Sequence, residues 1–134
     1  MKQPKIEGSS DTLAELVVKG MQERKANNIV VINLKSLKNA VSDYFIISSA
    51  NSDTQLDAIA RSIEEQVHKA TQQNPWQSEG RVNKEWILLD YVDVVAHIFL
   101  KEKREFYALE ELWGDAEIIQ IENPVEAGGQ SGKG

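Results

Sequence analysis

Residues 85–100 read EWILLDYVDVVAHIFL, two short apolar runs on either side of an acidic turn, Asp90 to Asp93. Both runs are rich in branched and aromatic residues, which predicts a β-hairpin. Side chains alternate across a strand, so the hairpin has two distinguishable faces. With Tyr91 and Val92 as a two-residue turn, Asp90 pairs with Asp93, Leu88 with Val95, and Trp86 with His97. One face then carries Ile87, Leu89, Val94, Ala96 and Ile98, all aliphatic, and is expected beneath helices. The other carries Trp86, Leu88, Asp90, Asp93, Val95 and His97, with Phe99 beyond.

The second composition predicts an exposed sheet surface that docks a protein partner, with the indole as anchor and the carboxylates as an orienting rim. The partner-binding set is Trp86, Leu88, Asp90, Tyr91, Asp93, Val95 and His97. Two other readings stay open: a strand tryptophan can belong to the core, and a lone histidine can be a packed, hydrogen-bonded ring. His97 also has the chemistry of a sensor of pH near neutrality. Two aspartates placed directly opposite each other repel. Val92 fits a tight turn poorly, because such turns favour Gly or Asn where φ is positive. A four-residue turn keeps the same face grouping, whereas a slip of one residue exchanges the faces.

Working outward, Thr12 and Glu15 stand in capping-box spacing ahead of a helix with Leu13, Leu16, Val17 and Met21 on one stripe. Ile29 to Leu34 reads as a buried strand, and Asp43 to Ser49 as a second. Ser52 and Gln55 open another helix, whose apolar stripe is Leu56, Ile59, Ile63, Val67 and Ala70 and which Pro75 stops. Residues 77–84 read as a loop. A last helix follows the hairpin, with Phe106, Leu109, Leu112 and Trp113 near one side, and Glu117 to Ile121 adds a short strand. The order α-β-β-α-β-β-α predicts an α/β fold, a mixed sheet of four to five strands with helices packed on it. The predicted organisation is a flexible N-terminus over 1–11, one domain over 12–121, and a disordered Gly-rich tail over 122–134.

A chain of 134 residues suits one domain with an adequate core. It holds no cysteine, which excludes disulfides, thiol catalysis and thiolate metal sites and fits a reducing cytoplasm. The N-terminus lacks a signal-peptide core and no apolar run reaches membrane-spanning length, so a cytoplasmic protein is expected. Net charge is −6, from 21 acidic and 15 basic residues, which disfavours nucleic acid as the main contact and suits a basic protein partner. His68 lies on a helix and His97 on a strand, with no spacing that links them as metal ligands. No catalytic residue, metal or cofactor is expected.

The segments SDYFIISSANSDTQLDAIARSIEE, Glu79-Gly80, WILLDYVDVVAHIF and REFYALEELW occur here in one order, between about residues 12 and 113. Together they resemble the ribosomal silencing factor family, also called RsfS or Iojap. The departures are Val92, where that family commonly has glycine, and Ala96, where it has a larger branched residue. The resemblance implies a nucleotidyltransferase-like fold without enzymatic activity. It implies binding to the large ribosomal subunit at protein L-fourteen, a steric block to small-subunit joining, and repressed translation when nutrients are short. A homodimer through the same face is compatible with this. The rival readings are a nucleotidyltransferase-like enzyme and a dimeric regulatory adaptor unrelated to the ribosome. An enzyme of that class needs clustered carboxylates for magnesium, and no D-x-D or D-x-E follows SSAN in the expected place.

Overall fold

The structure is a computed structural model that describes residues 9–107 and 114–121. The elements are α1 (Ser9–Glu23), β1 (Asn27–Asn33), β2 (Tyr44–Ala50), α2 (Asp53–Thr71), β3 (Gln77–Glu79), β4 (Trp86–Asp90), β5 (Val94–Leu100), α3 (Lys101–Tyr107) and β6 (Glu117–Ile121). The described strands form one mixed sheet in the order β3-β4-β5-β2-β1-β6. Only the β2–β5 pair is parallel; the other four pairs are antiparallel. Six strands replace the expected four to five, because Gln77–Glu79 pairs with Leu88–Asp90 instead of forming a loop. All three of its residues are exposed and polar, so they carry no apolar alternation to betray a strand.

The helices follow from their stripes. In α1, Leu13, Ala14, Val17 and Met21 are buried at helical spacing. The helix begins at Ser9, so Thr12 and Glu15 lie inside it instead of capping it. At the start of α2, Ser52 Oγ accepts the Gln55 N–H at 3.1 Å, and Gln55 Oε1 turns back to accept the Asn51 N–H at 2.7 Å. These are the residues expected at that cap. Leu56, Ile59, Ile63 and Val67 are buried as expected, but Ala70 is exposed, two residues before the left-handed Gln72 ends the helix. The two helices touch closely. A Cβ on Gly20 would stand 2.6 Å from Ile63 Cα, and Ser62 Oγ donates to the Gly20 carbonyl at 2.8 Å.

Two apolar clusters flank the sheet. The larger packs α1 and α2 on Ile29, Val31, Ile46, Ile87, Leu89, Val94, Ala96 and Ile98. The smaller, on the other side, joins Val30, Ile32, Leu34, Ile47, Phe99 and Ala116, with Leu37, Ala40, Phe45 and Trp86 against it. β1 is therefore buried on both sides from Ile29 to Ile32, which is why its run is apolar without alternation. The expected positions Leu109, Leu112 and Trp113, and the tail over 122–134, lie outside the described residues, as does the side chain of Phe106.

Candidate partner-docking face

The hairpin register is offset by two residues from the two-residue turn. Trp86 pairs with Phe99, Leu88 with His97 and Asp90 with Val95, leaving a four-residue turn. An even offset preserves the faces, so Ile87, Leu89, Ala96 and Ile98 lie under the helices as expected. Asp90 and Asp93 do not oppose each other as a cross-strand pair. Asp90 Oδ1 instead accepts the Val92 N–H at 2.8 Å.

The turn itself is bonded throughout. The Asp93 N–H donates to the Tyr91 carbonyl at 3.0 Å and the Tyr91 N–H to the Val94 carbonyl at 2.9 Å. Val92 sits between them at φ 76°. A bond from residue i+2 back to i around a central φ of this sign makes a γ-turn of the rarer, strained hand. For a β-branched side chain that conformation costs on the order of 1–3 kcal/mol. The connector between β1 and β2 clamps the turn from outside. Ser42 Oγ donates to the Val92 carbonyl at 2.7 Å, and the Asp43 and Tyr44 N–H groups donate to the Asp93 carbonyl at 2.7 and 3.1 Å.

The second face is not the open surface expected of it. Phe99, His97 and Val95 are buried: Trp86 stacks on Phe99, Phe45 and Trp86 meet the His97 ring, and Phe99 joins Val30, Ile32 and Ile47 in the smaller cluster. Trp86 and Leu88 are half-buried, as is Asp90, while Val92 and Asp93 are exposed. Tyr91 does not belong to this face. It follows Ile87 and Leu89 in alternation and is buried in the helix-side cluster, where desolvation, with Glu64 nearby, pushes its phenol up. β3 adds what the sequence reading missed. Glu79 stands opposite Leu88 and Gln77 opposite Asp90, so a third carboxylate joins the rim. No apolar signal marks those two residues; only their pairing does.

Trp86 is held from beneath. Its indole lies against Phe99 with centroids 5.0 Å apart, and its Nε1–H donates to His97 Nδ1 at 3.1 Å. Phe45 meets the same imidazole edge-on at 4.8 Å. Because Nδ1 accepts, the ring's own hydrogen sits on Nε2, which has no hydrogen-bond partner among the described residues. Burial lowers the His97 pKa to about 4, so the ring stays neutral through the physiological range. The expectation of a sensor near neutrality fails for that reason. Gly80 fixes the approach to the face. It takes φ 90°, and a Cβ there would fall 1.8 Å from the Trp86 carbonyl oxygen.

Elsewhere Ser49 and Asn51 of the SSAN segment tie β2 to β1. Asn51 Oδ1 accepts from Asn27 Nδ2 at 2.9 Å, and Ser49 Oγ donates to the Asn27 carbonyl at 3.3 Å. Among the described residues no three His, Asp or Glu side chains gather where a metal ion could be held. No described helix is long and apolar enough to cross a membrane.

Comparison with known proteins finds relatives of this chain. Residues 7–133 match the family model described as ribosomal silencing factor during starvation. The ribosomal silencing factor RsfS of Halalkalibacterium halodurans is 34% identical over 120 residues, covering 87% of this chain and 98% of that protein. The RsfS of Bacillus subtilis is 34% identical over 111 residues, covering 83% and 92%. A crystal structure of a Chromobacterium violaceum protein superposes with a TM-score of 0.73 at 28% identity, covering 78% of this chain and 85% of the other.

Proposed function

The chain belongs to the ribosomal silencing factor family, and from that premise we propose that it binds the large ribosomal subunit at protein L-fourteen. Bound there, on the surface that meets the small subunit, it blocks joining by occupying volume and represses translation when nutrients are short. No bond is made or broken and no cofactor takes part; the protein works in the cytoplasm as a binding factor. The contact is the second face of the hairpin, from Trp86 to the turn. Trp86 and Leu88 supply the apolar centre, and Asp90 and Asp93 supply the rim. Val95 and His97 act from below, keeping the indole in place, and Tyr91 props the turn from the helix side. The observation that carries this reading is the half-buried Trp86, held by His97 and Phe99 on a face whose turn carries half-buried Asp90 and exposed Asp93. Anchors of that kind dominate docking energetics, and acidic rims suit a basic partner.

Co-sedimentation with separated small and large subunits, followed by a joining assay, tests the proposal. The chain should travel with the large subunit and lower the yield of joined ribosomes. Sedimentation with neither subunit, or binding without any effect on joining, overturns it. A dimer pairing the same face would hide Trp86 and Leu88, so binding should then fall as the chain's own concentration rises.

A further inference from the structure

We infer that Val92 is a specificity-determining contact of the docking face, its isopropyl group held out for a small apolar socket set between cationic groups on the partner. The inference rests on the docking role proposed above. Five non-glycine residues among those described take positive φ: Lys25, Asn28, Gln72, Lys84 and Val92. Val92 alone is β-branched, the side-chain class that tolerates this conformation least. Its side chain gains little inside the molecule in return, since the residue is 54% exposed.

The backbone around it cannot relax to relieve the strain. Asp90 Oδ1 holds the Val92 N–H, Ser42 Oγ holds its carbonyl, and the next carbonyl takes two N–H groups from Asp43 and Tyr44. Those bonds hold the backbone, but the side chain, rigidly presented and more than half in water, gains little packing among the described residues. A partner's surface is where that packing arises, and strained backbone of this kind clusters at contact sites. The flanking carboxylates, Asp90 on one side and exposed Asp93 on the other, state the chemistry of that surface: apolar at the centre, basic at its edges.

The test titrates purified large subunit with the full chain and with V92G and V92N at one fixed salt concentration, alongside thermal melts. Glycine relieves the strain, so V92G should melt about 3 °C higher. It should nevertheless bind about fivefold more weakly, the loss expected for a half-exposed valine side chain buried on docking. Asparagine tolerates the left-handed backbone while removing the apolar contact, and V92N should weaken binding to a similar degree. Wild-type affinity in both variants overturns the inference. So does a loss confined to V92G, since looseness of the turn would then explain it, and so does a lower melting temperature for V92G. If the wild-type chain itself ignores the large subunit, the docking proposal fails first and this inference with it.

Discussion

The two sides of one sheet are built on different terms. Under α1 and α2 the hairpin presents Ile87, Leu89, Val94, Ala96 and Ile98, each with no exposure. On the reverse side Trp86, Leu88, Val95, His97 and Phe99 grade from full burial at Phe99 to half-exposure at Trp86 and Leu88, and the turn beyond is open. The first side is sealed by two long helices with matching stripes. The second carries a smaller cluster, with Leu37, Ala40, Phe45 and Trp86 packed against it, and leaves Val92 and Asp93 exposed at the turn. The contrast teaches that burial alone does not separate core from site. Trp86 is both part of an apolar cluster and an accessible edge, and its position depends on the buried His97.

The largest expected effect tests the sealed side. Ile87→Ala should lower stability by about 3 kcal/mol, as truncation in a close-packed core does, whereas Leu88→Ala one residue away should cost only about 1 kcal/mol. Denaturant titration of the two variants measures this. Equal losses would mean that the faces are equally buried, against the contrast drawn here.

A second effect, of similar size, belongs to His97. Its pKa is about 4 in the folded chain against 6.5 when exposed. Between these values the unfolded chain takes up a proton that the folded chain does not. The full contribution is present above pH 6.5, and up to about 3 kcal/mol is lost as pH falls from 6.5 to 4. His97→Gln removes that titration, so melts over this range should decline less steeply for the variant than for the wild type. Large-subunit binding should be the same at pH 6 and pH 8, because the ring is neutral at both.

Trp86→Ala sharpens the comparison from the other side. It should weaken large-subunit binding by about 2 kcal/mol, roughly thirtyfold, and also lower the melting temperature, since the indole packs on Phe99. A loss of stability with unchanged affinity would make the tryptophan part of the smaller cluster only. The smallest effect is Asp93→Lys. The backbone carbonyl of Asp93, not its side chain, carries the bonds from Asp43 and Tyr44, so the turn should persist. Association should slow severalfold and become less sensitive to salt. An unchanged on-rate would leave the carboxylate rim without a role.

Much of this was legible from alternation. The division of Ile87, Leu89, Ala96 and Ile98 from Trp86, Leu88 and His97 follows from a period of two and survived an error of two in register. The cap at Ser52 and Gln55 was legible because its bonds are local in the chain. What escaped depends on partners distant in sequence. Gln77 and Glu79 became strand only by pairing with β4. His97 was removed from water partly by Phe45, more than 50 residues away. Tyr91 turned inward because a four-residue turn continues the alternation of β4; Val92 spoke against the shorter turn, but only the completed pairing placed Tyr91.

Taken alone, the amino-acid order determined which side chains share a face, where α2 begins, and that the chain resembles a family of ribosome-binding factors. These follow from local periodicity, from hydrogen bonds between near neighbours, and from a set of segments in order. Tertiary structure alone decided how far each face is covered, that His97 stays neutral, and that Val92 is held in a conformation it disfavours. Those properties depend on groups distant in sequence: Trp86 and Phe45 pack on His97, and the β1–β2 connector clamps the turn at Val92.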